Sequence, residues 1–235
     1  MLYPEIIAAR GFINALNNAF ERIGSKLRVV TNEDLDRIPF TYARVENDNR
    51  FTQIYLAAEQ NLYLSNYWKD GVSLAHGNTD DINSLVESVD FWLCKNINST
   101  ELAQKFSFVS LSAKAETFDD GREVRYAWHS ILIDPQRAEL KQFIDLVMQD
   151  EILSTLFPFT SLTRLCFSRC TGYPYTYDLP VVIPLNEHDF EVRLNNDVVV
   201  GRGNASQALK MVKENLPNDI KPAIKGTANN FRNST

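Results

Sequence analysis

Residues 51–76 read FTQIYLAAEQNLYLSNYWKDGVSLAH, and their pattern decides the class of fold. Phe51, Gln53, Tyr55 and Ala57 alternate with Thr52, Ile54, Leu56 and Ala58, the period of a strand. Both sets carry apolar residues, so this strand is expected to be covered on both faces. Glu59 to Asn61 turns the chain into a second strand, Leu62 to Trp68. Lys69-Asp70-Gly71 turns it again, and Val72 to His76 continues the meander. Phe40 to Val45 adds a predicted outer strand, joined through Glu46 to Asn49.

Outward from this meander, strands and helices come in runs. On its N-terminal side Ile6, Ala9, Ile13, Leu16, Phe20 and Ile23 recur every three to four residues. They predict one amphipathic helix between Pro4 and Gly24. On its C-terminal side Thr79 is the expected cap of a helix with the stripe Ile82, Leu85, Val86, Val89, Trp92 and Leu93. Ser99 is the next expected cap. Val124, Trp128, Ile131 and Leu132 form another helical face, and Asp134-Pro135 opens one more. The last third returns to strands at Leu162 to Ser168, Val181 to Leu185, Phe190 to Leu194 and Val198 to Val200. Asn204 and Gln207 then make a capping box for a closing helix that Pro217 ends.

Grouped runs favour an α+β fold over a doubly wound sheet. The expectation is antiparallel sheet segments in the N-terminal and C-terminal thirds, packed with a central set of amphipathic helices. One domain over residues 1–217 is expected, with a possible seam at Thr117 to Gly121. Residues 218–235 are polar and aperiodic and read as a flexible tail, dispensable for folding.

The 235 residues are 44% hydrophobic and 23% charged, ordinary values for a globular chain. The net charge of -6 argues against broad nucleic-acid binding, which needs clustered cations. No stretch reaches the ~18 apolar residues of a membrane span, and no secretory leader pattern is visible. Three cysteines, an odd number, fit a reducing cytoplasm better than a disulfide framework. No cofactor motif is found. The turn Gly201-Arg202-Gly203-Asn204 lacks the length and lysine of a phosphate loop.

The segment richest in chemistry is Phe157 to Pro180, FPFTSLTRLCFSRCTGYPYTYDLP. It holds six aromatics, two arginines, two cysteines and three prolines. Cys166 and Cys170, if both in a strand, stand ~13 Å apart and share neither a metal nor a disulfide. His76, His129 and His188 are scattered, so no metal site is expected. Ser168 and the cysteines have no recognisable nucleophile setting, and catalytic residues stay unassigned. Two readings of the block remain open. In one it is a core strand and a proline-stiffened loop. In the other, Arg164, Arg169, Tyr173, Tyr175, Tyr177 and Asp178 form a face for a partner protein or a small anionic or aromatic ligand. If Asp178 pairs with Arg169, that pair braces the loop, and Arg164 or Arg202 becomes the better anion clamp.

Leu156 to Ser161, Cys166 to Pro180 and the closing helix into Asn215-Leu216-Pro217 resemble an uncharacterised bacterial family whose members carry natural-product biosynthesis labels. The resemblance is most specific over residues 152–217. It implies an accessory role near secondary metabolism and brings no catalytic residue with it. The leading expectation is a cytoplasmic accessory protein that binds a partner or a carrier-bound intermediate. A small-molecule enzyme of unknown reaction and an immunity or regulatory protein without ligand are the alternatives.

Overall fold

The computed structural model describes residues 2–29 and 42–232. The chain divides into two compact units, Met1–Asp119 and Asp120–Thr235, each with its own antiparallel sheet and apolar core. The α+β class holds. Where the sequence pattern suggested one domain over residues 1–217, two cores are found, and the division falls inside the seam between Thr117 and Gly121.

The first unit opens with α1 (Pro4–Ala8) and α2 (Phe12–Arg22). The single helix expected up to Gly24 is interrupted because Arg10 and Gly11 take positive φ, 58° and 145°. The sheet is a meander in the order β1 (Tyr42–Asn47), β2 (Arg50–Leu56), β3 (Tyr63–Lys69), β4 (Val72–Thr79), β5 (Val109–Leu111). Phe40 and Thr41, expected in the first strand, lie outside the described residues. α3 (Ile82–Cys94) buries its apolar stripe in the same core as Ile54, Tyr63 and Tyr67 of the sheet. Its cap is Asp81, whose carboxylate accepts the N–H groups of Asn83 and Ser84. Thr79 instead accepts the N–H of Asp81. α4 (Ser99–Lys105) is capped by Asn98 in a capping box with Glu101, one residue before the expected Ser99. α5 (Ala115–Asp119) closes the unit.

Cover on both faces of β2 is not what forms. Thr52 and Ile54 are buried, whereas Phe51, Gln53 and Tyr55 are half-buried. The aromatics on the second face shield one another sideways. Phe51 stacks on Trp68 across the strands at 5.3 Å, and Tyr42 meets Tyr55 at 5.1 Å. The Arg44 guanidinium lies over Phe51 at 3.9 Å. Cross-strand ring pairs thus account for the half-buried apolar residues of this face.

Arg50 is the unusual core residue of this unit, 6% exposed. Its guanidinium donates to the carbonyls of Trp92 (2.9 Å), Lys95 (3.3 Å) and Ile97 (2.6 Å) and lies 4.4 Å from the Trp92 ring centroid. These carbonyls belong to the end of α3 and the turn after it, so the side chain satisfies acceptors that a helix terminus leaves open. Burial lowers the pKa of Arg50, against the pull of Asp119 and more distant acids.

The second unit contains α6 (Glu123–Ile133), a 3-10 turn (Pro135–Leu140), α7 (Lys141–Val147), β6 (Phe157–Ser161), β7 (Arg164–Ser168), β8 (Val181–Pro184), β9 (Phe190–Arg193), β10 (Val199–Gly203), α8 (Ala205–Glu214) and α9 (Ala228–Arg232). The sheet order is β10-β9-β8-β7-β6. β7 falls within the strand expected at Leu162 to Ser168, and β6, which the sequence pattern did not mark, pairs with it as a hairpin because Leu162 takes φ 56° and reverses the chain. Leu165, Phe167, Val182, Phe190 and Val192 share one core with Trp128, Phe143, Ile144, Ala208 and Val212 of the helices.

β10 meets α8 through glycine. A Cβ on Gly201 would stand 2.6 Å from the Met211 sulfur, and one on Gly203 would stand 2.4 Å from Gln207 Oε1. Strand alternation sends the intervening Arg202 to the opposite face.

The expected tail after Pro217 is instead pinned. Ile224 pairs in parallel with Cys170. Its N–H donates to Arg169 O, and its carbonyl accepts Thr171 N–H. Gly172 N–H donates to Gly226 O, Ala223 N–H to Thr155 O, and Ala228 N–H to Pro174 O. An aperiodic segment can satisfy backbone groups without presenting an apolar face, and apolar periodicity does not detect that.

Candidate functional site

Alternation along the second sheet places Phe157 and Phe159 of β6, Arg164, Cys166 and Ser168 of β7, Glu191 and Arg193 of β9, and Arg202 of β10 on its outer face. The loop after β7 is tied down by Ser168. Its hydroxyl accepts the N–H groups of Cys170 (3.1 Å) and Thr176 (3.2 Å) and donates to Cys170 O (2.8 Å). Thr176 Oγ1 in turn accepts Arg169 N–H. The Tyr173–Pro174 peptide is cis.

The loop thereby lays its tyrosines on the sheet. Tyr175 stacks on Phe159 at 4.6 Å and on Phe157 at 5.3 Å. Tyr173 meets Tyr175 edge-on at 5.7 Å, and Tyr177 stands 6.3 Å from Phe159. Tyr173 and Tyr177 remain 63% and 44% exposed.

The residues marked out by sequence separate into two groups. Arg169 pairs with Asp178 at 2.9 Å and braces the loop, and its Nε is buried without a hydrogen-bond partner. Arg164 pairs with Asp197 at 2.6 Å, and Tyr177 lies beside it. These two interactions keep Arg164 firmly charged, Tyr177 being the larger influence. His129 sits exposed on α6.

Sequence reasoning missed Glu191. It is 2% exposed, with Arg193 on Oε1 at 2.5 Å and Arg202 on Oε2 at 2.6 Å. Hydrogen bonds from Arg193, then Arg202, hold its carboxyl below the usual range despite burial. The available signal was parity. Glu191 and Arg193 alternate with Phe190 and Val192, and Arg202 is the charged residue of the neighbouring strand. Arg202 thus faces the same side as the aromatic block.

The thiols do little chemistry in this setting. Cys170 lies beyond the end of β7, and its Sγ–H approaches the carbonyls of Gly172 and Pro174. Burial pushes the Cys166 thiol up to about 11, against the lowering influence of Tyr177 and Arg164. A buried neutral thiol is a poor nucleophile. In native protein, DTNB is expected to label the exposed Cys94 alone, with Cys166 and Cys170 reacting on unfolding. Prompt labelling of two or three thiols would show that the loop opens readily.

Two further features of this unit stand apart. Glu123, buried at the start of α6, accepts from Thr171 Oγ1 at 3.3 Å, while its Oε2 has no hydrogen-bond partner. An open groove of about 340 Å³ lies between α7 and the start of α8, lined by Gln142, Asp145, Leu146, Asn204, Ala205 and Ser206. It shares no residue with the aromatic block. Among the described residues no helix is long and apolar enough to cross a membrane.

The outer sheet face, with its arginines and tyrosines, defines a candidate binding surface on an α+β unit. Residues 122–227 match a family of unknown function (DUF6193), a span that includes the whole of this face. No curated protein and no solved structure matches the chain.

Proposed function

We propose that the chain is an accessory binding protein whose second unit docks a partner protein, or an intermediate carried by one, on the outer face of its sheet. The observation that carries this reading is the exposure of Tyr173 and Tyr177 above the stacked rings of Phe157, Phe159 and Tyr175. Core packing alone does not require exposed rings beside organised arginines, and tyrosine with arginine is the composition of interface hot spots. The setting in bacterial natural-product biosynthesis rests on the resemblance of residues 152–217. A second reading, an enzyme of unknown reaction, draws support from the unpartnered Oε2 of Glu123, since a buried carboxyl with spare capacity is an acid–base candidate.

The test is a Tyr173→Ala/Tyr177→Ala double variant, assayed against partners captured by the wild-type protein from its native host and then purified. Tyr173 is mostly solvated and Tyr177 about half so, and neither is part of the apolar core, so the melting temperature is expected to stay within a few degrees. Binding should weaken at least ~10-fold, the scale of one hot-spot residue. A folded double variant that binds as well as wild type would move the docking site away from this face.

A further inference from the structure

We propose that Arg164, Arg193 and Arg202 form a site for a phosphate monoester, with Glu191 as its fixed counter-ion and Asp197 as a resident carboxylate that the ligand displaces. The five side chains alternate in charge across the outer face of the second sheet. Glu191 is almost wholly buried, and each of its oxygens is held by one guanidinium through Nε and a terminal nitrogen. It cannot leave without stranding a buried charge. What it does is set the planes of Arg193 and Arg202, whose remaining N–H groups make no other hydrogen bond among the described residues.

Asp197 is placed differently. It sits in the turn between β9 and β10 with its side chain 59% exposed. A single oxygen, Oδ1, lies 2.6 Å from Arg164 and 3.9 Å from Arg193. One carboxylate oxygen shared by two guanidiniums occupies the place that an external oxyanion would take. Its release to water costs little, because exposed ion pairs are weak.

Charge matches the exchange. With Asp197 turned away, three arginines and one glutamate leave a patch of two positive charges in a chain whose net charge is -6. A phosphate monoester near neutral pH carries about -1.5 to -2 and presents three strong acceptor oxygens to planar forks. The Phe159 and Tyr177 rings adjoin Arg164 with apolar surface for the esterified group. A free phosphate ester and a phosphorylated side chain of a partner present the same chemistry.

The experiment follows the arginine Nε–Hε signals of ¹⁵N-labelled protein at constant ionic strength. The probes are phenyl phosphate and, separately, a short phosphoserine peptide. Saturable shifts are expected at Arg164, Arg193 and Arg202, and not at Arg50. Tighter binding of phenyl phosphate points to a small ester, and tighter binding of the peptide to a phosphorylated partner. Asp197→Asn should bind roughly five-fold tighter, the scale of one exposed competing ion pair. Arg164→Ala should bind at least ~10-fold weaker, the scale of a charge-assisted bond. Unsaturable shifts spread over all surface arginines, or an Asp197→Asn protein that binds no tighter, would overturn the site. The wild-type signals decide the matter if a variant fails to fold. Loss of this site with partner docking intact would leave the tyrosine reading standing, so the two proposals fail separately.

Discussion

Deleting residues 218–235 is expected to unfold the second unit early. The deletion removes the segment from Ala223 to Ala228, which is hydrogen-bonded through its main chain. It strands the N–H groups of Thr171 and Gly172, both buried, and the carbonyls of Thr155, Arg169 and Pro174. Each buried donor left without a partner costs about 1–3 kcal/mol. For a unit of this size that lowers the melting temperature by on the order of 10 °C or more. Trp128 is the one tryptophan of the unit and packs in its core, so in a Trp68→Phe/Trp92→Phe background its fluorescence reports the transition. A truncated protein with an unmoved Trp128 transition would mean that these hydrogen bonds contribute nothing to the folded state.

Arg50→Met is expected to destabilise the first unit by roughly 2–5 kcal/mol, at about 1–3 kcal/mol for each buried acceptor left without a donor. Methionine restores much of the volume, so the loss reports on the hydrogen bonds. Three carbonyls at the end of α3 would face an apolar chain. Arg50→Lys should recover only part of the loss, since one ammonium lacks the planar fork that serves separated acceptors. Arg44→Met is the control, because Arg44 makes a half-exposed pair with Glu46 and should cost no more than ~1 kcal/mol. Urea unfolding followed by Trp68 and Trp92 emission, in a Trp128→Phe background, measures all three. Equal midpoints for Arg50→Met and Arg44→Met would show that Arg50 is incidental to the fold.

Much of the fold was legible because periodicity reports burial. The meander turns at Lys69-Asp70-Gly71, the stripe from Ile82 to Leu93 and the capping box at Asn204 all stand where their patterns place them. What failed shares a cause. The break at Arg10-Gly11 and the reversal at Leu162 depend on single residues at positive φ, which apolar spacing does not register. Residues 223–228 are held through main-chain atoms, which composition does not report. Counting apolar residues on both sides of β2 mistook lateral ring pairing for a second core.

The candidate face was legible in its aromatics and in the pairing of Arg169 with Asp178. That pair, conditional in the sequence, is formed, while Arg164 and Arg202, the alternative anion clamps, are held by Asp197 and Glu191. Glu191 was not legible. Its partners come from its own strand and the next, and only the register of β9 against β10 brings them together.

The glycines of β10 carry a mechanical consequence. Gly201 and Gly203 let α8 seat directly on the strand, so the helix works as a wedge that fixes the height of β10 against the sheet. Arg202 projects from between them on the far side. Its guanidinium therefore inherits its position from how deeply Met211 and Gln207 sit, although neither residue touches the outer face. A side chain added at Gly201 or Gly203 would have to push Met211 or Gln207 away, and the expected result is a shift of Arg202 relative to Glu191. The packing beneath this sheet and the placement of the charges above it are in that sense one structure, joined through two residues that have no side chain.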